Sequence, residues 1–177
     1  MAIPAKINAQ EIIERINLET LARRVYEISR RIGDEKERLG GVLAVAVFCK
    51  NDPSINNYAA VTVGRPGDNL YMNLFYVNEK ISRTRGRRLE GHNEVASSQS
   101  ADADKKFYGG CIVAFIEGFG EVEIYFSYSG AKQEVDEAVS AILAHMSDCT
   151  IDKFFESNPV MQIAGPLLAD VGEFWNY

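Results

Sequence analysis

Apolar residues change their spacing several times along this chain, and each change marks an element. Leu18, Leu21, Val25, Ile28 and Ile32 recur at three and four residues, while Arg23, Arg24, Glu27, Arg30 and Arg31 take the other face. That is the period of an amphipathic helix. Gly33 is its expected stop, and Asn8 with Glu11 three residues on predicts a capped short helix before it. Beyond the charge run Asp34 to Arg38 and the pair Gly40-Gly41, the pattern tightens into Val42-Leu43-Ala44-Val45-Ala46-Val47-Phe48. A continuous apolar run of this length predicts a buried central strand. Lys50 to Asn57 is turn-forming, and Tyr58 to Val63 predicts the returning strand of a hairpin that Gly64-Arg65-Pro66-Gly67 ends.

The helical period returns at Leu70, Leu74, Val77 and Ile81, with Asp68 as the expected cap. From Ser82 to Lys106 it dissolves, which predicts a long loop. The clearest unit then follows. Cys111 to Ile116 and Val122 to Tyr128, separated by Gly118-Phe119-Gly120, read as a hairpin. After Ser129-Gly130, Val135, Ala138, Val139, Ile142 and Met146 share one helix face, with Glu134, Asp136 and Glu137 in the first turns, where the positive helix end favours carboxylates. A hairpin feeding a helix that folds back over the sheet predicts an α/β (α+β) chain.

Composition narrows the classes. A chain of 177 residues suits one substantial core, and a net charge of −6 argues against nucleic acid as a partner. No apolar run approaches the length of a membrane span and no leader pattern opens the chain, so the expectation is a cytoplasmic protein with no membrane partner. Cys49, Cys111 and Cys149 are odd in number, and the expectation is reduced, buried thiols. The stretch after Met146 carries Phe154, Phe155, Leu167, Leu168, Val171, Phe174 and Trp175. That much apolar surface is expected to pack on its own domain or on a partner subunit.

Candidate chemistry lies between the two hairpins. Arg83, Arg85, Arg87 and Arg88 fall within six residues of an otherwise acidic chain. Guanidinium forks suit phosphate and carboxylate, so the cluster is a candidate anion site; the alternative is a solvated loop, or cations complementing a helix C-terminus. His92 follows and is a candidate ligand or proton carrier; the alternative is an exposed residue with no role. His145 and Cys149 are four apart, but a zinc site needs more ligands than the chain brings near, and His145 is better read as an edge-of-core residue. Gly109-Gly110 permits close backbone approach to an anion, or only a tight strand entry. No Walker, dinucleotide-fingerprint, zinc-protease or nucleophile-elbow motif occurs.

Taken in order, Asn17 to Val25, Val42 to Phe48, Arg65-Pro66-Gly67, Lys80, Tyr108-Gly109-Gly110, Ser129-Gly130 and Gln133 to Ala138 resemble the GlcG/HbpS-like family. Tyr108 stands where that family's signature has proline. The resemblance implies a profilin-like fold, an antiparallel sheet of about five strands with packed helices, often as a homo-oligomer. It divides the chain into an N-terminal arm and short helix (1–16), the family domain (17–146) and an aromatic tail (147–177). It also implies a small-molecule ligand, with haem or another anionic tetrapyrrole the named cofactor. Carried over, the site is Lys80, Arg83, Arg87, Arg88, His92, Tyr108, Gly109 and Gly110, with arginines meeting propionates and His92 on the haem iron. A small-molecule binder is the first reading. A haem-degrading or other enzyme using His92, and a non-catalytic assembly module, are the alternatives.

Overall fold

The computed structural model describes residues 8–32, 40–52 and 54–151, and only the backbone of residues 28–32. The element order is α1 (Ala9–Ile16), α2 (Leu18–Ile32), β1 (Gly40–Cys49), β2 (Asn56–Gly64), α3 (Leu70–Leu89), β3 (Cys111–Phe115), β4 (Val122–Ser129), α4 (Gln133–Met146) and β5 (Thr150–Ile151), with short 3-10 turns at Gly67–Asn69 and Ser97–Ser100. The strands form one antiparallel sheet in the order β2-β1-β4-β3-β5. Both predicted hairpins are present, and β1 and β4 pair over eight residues from Val42 opposite Ser129 to Cys49 opposite Val122.

Alternation along these strands sends side chains to two faces. Leu43, Val45, Val47, Ile112, Ile124, Phe126 and Tyr128 enter the larger core under α1, α2 and α4. Val42, Ala44, Ala46, Cys111, Val113 and Tyr125 meet Val77 and Ile81 of α3 alone. The small Ala44 and Ala46 let α3 lie close to the sheet. Asn17 joins the first two helices: left-handed at φ 50°, it ends α1, and its side chain accepts from the Thr20 amide to open α2. Asn8 caps α1 as its sequence predicts, accepting from the Gln10 amide.

Several expectations need correction. Asp68 lies in the 3-10 turn and caps nothing; α3 starts at Leu70 without a side-chain cap. The predicted loop from Ser82 is helical through Leu89, so the arginines sit on α3. Leu74 is 38% exposed rather than core-facing, and His145 is exposed rather than at the edge of the core. Thr150–Ile151 adds a fifth strand beside β3 that no alternation announced. All three cysteines are free and buried. Among the described residues no helix is long and apolar enough to cross a membrane. Expectations for Met1 to Ile7, for Gly33 and the charge run after it, and for the tail from Asp152 fall outside the described residues.

Candidate functional site

A concavity on the α3 side of the sheet lies where α3, the 101–108 segment and the start of α4 converge. Its volume is about 520 Å³, within the range of small-molecule sites. Asn73, Tyr76 and Lys80, spaced three and four apart on α3, form one wall; Phe107 and Tyr108 form a second, and Lys132 to Glu134 with Asp136 form the third. Tyr76 and Tyr108 meet edge to face with ring centroids 5.5 Å apart. Such pairs hold aromatic walls in fixed orientation.

Lys80 and Asp136 make the floor. Both are almost fully buried, and Lys80 Nζ donates to Asp136 Oδ2 and to the Tyr128 carbonyl, each at 2.9 Å. Asp136 Oδ1 accepts from the amides of Gly130 and Ala131 at 3.1 and 2.9 Å, tying the Ser129-Gly130 turn to the first turn of α4. Burial pushes the Asp136 carboxyl up to about 6, against the opposing pull of the Lys80 ammonium and the two amides. An ammonium has three N–H donors, so Lys80 keeps one without an acceptor among the described residues.

The glycine pair belongs to this floor. Gly110 has φ +127°, and a Cβ there would lie 2.5 Å from Lys80 Nζ and 2.8 Å from the Tyr128 carbonyl oxygen. Only glycine lets the chain pass so close to the ion pair. Its carbonyl accepts from Ser140 Oγ at 2.8 Å, and the Gly109 amide donates to Gln133 Oε1 at 3.2 Å. Behind them the buried Glu137 accepts from the Ser98 amide at 3.1 Å, and burial raises its carboxyl as well.

The eight sequence-predicted site residues divide into three groups. Lys80 and Tyr108 line the cleft, and Gly109 and Gly110 back it. Arg83 braces it from outside: its guanidinium donates to the carbonyls of Ser97 and Tyr108 at 2.7 Å, to Ser100 Oγ at 2.6 Å and to Glu79 at 2.6 Å, so it fixes the loop that carries Tyr108. Arg87, Arg88 and His92 do not line the cleft. Arg88 forks onto Glu123 at 2.6 and 2.9 Å, and Arg87 lies 3.6 Å from Glu94. His92 is half-exposed, with Nε2 3.9 Å from Glu90.

Glu123, on the strand that pairs with β1, also receives Lys50 at 3.1 Å and the Tyr125 hydroxyl at 2.7 Å. Burial alone would raise its carboxyl, but Arg88, Tyr125 and Lys50 together hold it below the usual range. Asn73, Tyr76, Phe107, Lys132, Gln133 and Asp136 are site residues that sequence reasoning passed over. For Asp136 the available signal was its place after Ser129-Gly130, which reads equally well as complementing the helix dipole. Among the described residues no three His, Cys, Asp or Glu side chains converge to hold a metal ion. Compared with known proteins, the chain matches no family model, no curated protein and no solved structure.

Proposed function

We propose that this protein binds a small molecule with a flat conjugated body and an anionic end in the cleft between α3 and α4. One observation carries the reading: a buried ammonium with a spare donor lies beneath aromatic walls in a cavity of about 520 Å³. Lys80 and Lys132 balance Glu134 and Asp136 among the lining residues, so net charge does not select the ligand. Stacking on Tyr76, Phe107 and Tyr108 supplies most of the contact, and a carboxylate reaching Lys80 or Lys132 sets its orientation.

Haem or another anionic tetrapyrrole, the ligand that the GlcG/HbpS-like resemblance implies, has this chemistry, and the same reading takes the sheet and its helices as a profilin-like sandwich. The three free, buried cysteines support a reducing compartment, the cytoplasm. His92 does not line the cleft, so recognition there rests on the porphyrin ring and its propionates rather than on iron ligation by His92.

Titration with haemin and with metal-free protoporphyrin tests this. Both are expected to bind one per chain, with a shifted Soret band that weakens at least about tenfold in Tyr108→Ala and in Lys132→Glu and persists in His92→Ala. An unshifted band with both compounds, together with no thermal stabilisation by aromatic carboxylates, overturns the proposal.

A further inference from the structure

The two edges of the sheet differ. β5 closes one with a strand of two residues, and shortness is one way an edge is kept from pairing. β2 closes the other with nine, Asn56–Gly64. It carries no charge, no proline and no break in its register with β1, from Gly40 opposite Gly64 to Phe48 opposite Asn56. Those are the guards that edges ordinarily have. Which backbone groups are free follows from the pairing. The Cys49 amide donates to the Ile55 carbonyl at 3.1 Å, and bonded and non-bonded pairs alternate along an antiparallel ladder. Asn57, Ala59, Val61 and Val63 therefore turn their backbone groups to β1, and Tyr58, Ala60 and Thr62 turn theirs outward. The Asn57 side chain accepts from the Tyr58 amide at 2.8 Å. The Tyr58 carbonyl and both groups of Ala60 and Thr62 take no backbone partner among the described residues.

This edge also has a wall. The side chains of Tyr58, Ala60 and Thr62 are exposed on the α3 side of the sheet, since they lie opposite Ala46, Ala44 and Val42 of that face. Beside them α3 carries Tyr71, Leu74 and Asn78 on one flank, three and four residues apart. The Tyr58 hydroxyl hydrogen-bonds the Asn78 side chain and joins strand to helix at one end. The turn from Gly64 to Gly67 joins them at the other. Between these ends the small Ala60 and Thr62 form a floor, and Leu74 and Tyr71, 38 and 82% exposed, form the wall.

We propose that this groove takes an extended segment of another protein, which pairs with β2 as an added strand and lays alternate apolar side chains against Leu74 and Tyr71. In such a contact the main chain supplies affinity and the wall supplies selection. The segment is uncharged where it meets the wall, because α3 has no charged residue from Leu70 to Asn78 to repay a buried ion. Size points to a segment rather than a second folded chain. At 150–250 Å² for a whole aromatic side chain, Tyr58, Tyr71, Leu74 and the neighbouring Phe75 together expose on the order of 400 Å². That is about half of the roughly 800 Å² that each partner buries in a standard complex of folded proteins. The inference stands independently of what the cleft binds.

Selection from a displayed library of segments about ten residues long, with apolar residues at alternate positions, tests it on the full chain. Selected peptides are expected to bind with a Kd on the order of 1–100 µM. They should slow hydrogen exchange at the Ala60 and Thr62 amides at least about tenfold and change little at Ala59 and Val61, which β1 already protects. Thr62→Pro removes an outward N–H without touching the ladder to β1, and should weaken binding at least about tenfold. Leu74→Glu alters the wall and leaves the strand intact, with the same loss expected. Leu89→Glu, 74% exposed at the far end of α3, should leave binding unchanged. Unaltered thermal melts show that the variants fold. A library that yields no segment protecting Ala60 and Thr62, or binding that survives both Thr62→Pro and Leu74→Glu, overturns the proposal. So does a wild type found at twice its mass and at single mass in Thr62→Pro, because the edge then belongs to a second copy.

Discussion

The two faces of the sheet are covered in different ways. Three helices close one of them, and its core is a continuous apolar cluster from Ala9 to Cys149. A single helix covers the other, over the smaller cluster around Ala44, Val77 and Tyr125. One helix of about 10 Å width cannot span five strands set almost 5 Å apart. Something is left open on each side of it: the cleft towards α4, and the uncharged flank towards β2. The buried ion pairs, Lys80 with Asp136 and Arg88 with Glu123, are both anchored on this thinly covered face by α3. Stability there depends on paired charges as much as on apolar area, and the predictions below test that difference.

The largest effect is expected from Lys80→Met. The substitution keeps the volume of the stem but leaves the Asp136 carboxylate buried without its cation, a loss of about 3–5 kcal/mol by urea unfolding at pH 7.5. The double variant Lys80→Met with Asp136→Asn should recover much of this, because the amide needs no counter-ion. If the single and double variants were equally destabilised, the pair would be ordinary packing and the contrast between the faces would vanish.

Acidity sharpens the same contrast. The Asp136 carboxyl is raised from 3.8 in the unfolded chain to about 6 in the folded one. A raised carboxyl binds its proton more tightly in the native state, so its contribution is fully present below about pH 3.8 and is lost as pH rises through 6. Wild type should lose on the order of 1–3 kcal/mol between pH 4 and 7 from this group. Glu137, also raised by burial, acts in the same sense. Asp136→Asn therefore flattens the slope without removing all of it, as unfolding at four pH values would show. A slope unchanged in the variant would place the titrating group elsewhere.

The centre of the sheet was legible in the sequence because β1 and β4 each have a neighbour on both sides: Val42 to Phe48 is apolar throughout, since it is covered on two faces, and Val122 to Tyr128 betrays only Glu123 as polar among large side chains. What was not legible depends on residues far apart in the chain. Arg83 to Arg88 has no apolar stripe, so periodicity ends α3 near Ser82. The helix persists because three of its four arginines find a distant partner, Arg83 at Ser97 and Tyr108, Arg85 on the Phe48 ring at 3.7 Å and Arg88 at Glu123. Glu134 and Asp136 look alike as first-turn carboxylates. Only Lys80, 56 residues earlier, makes Asp136 the buried one. Gly110 was readable as a close approach, but to a lysine and a carbonyl of its own chain. Leu74 fits the core spacing and still faces solvent, because periodicity identifies an apolar side without saying what covers it.

A smaller loss is expected at the other ion pair. Arg88 meets Glu123 through two nitrogens and also donates to the Glu94 carbonyl at 2.7 Å. Removing it in Arg88→Ala still leaves Glu123 with the Lys50 ammonium and the Tyr125 hydroxyl. The cost should be about 2 kcal/mol, below that of Lys80→Met, which leaves Asp136 with the amides of Gly130 and Ala131. Arg88→Lys, which keeps the charge but not the fork, should fall between wild type and alanine. The pH dependence has the opposite sign to that of Asp136. A carboxyl held below its unfolded value contributes stability above about pH 4.5 that is lost as pH falls through the folded value. Without Arg88 that folded value moves back up, so the variant should lose on acidification less of its stability than wild type, which has the Arg88 contribution to lose. Equal acid sensitivity in the two proteins would mean that Lys50 and Tyr125 hold Glu123 ionised by themselves, and that the guanidinium serves the Glu94 loop instead.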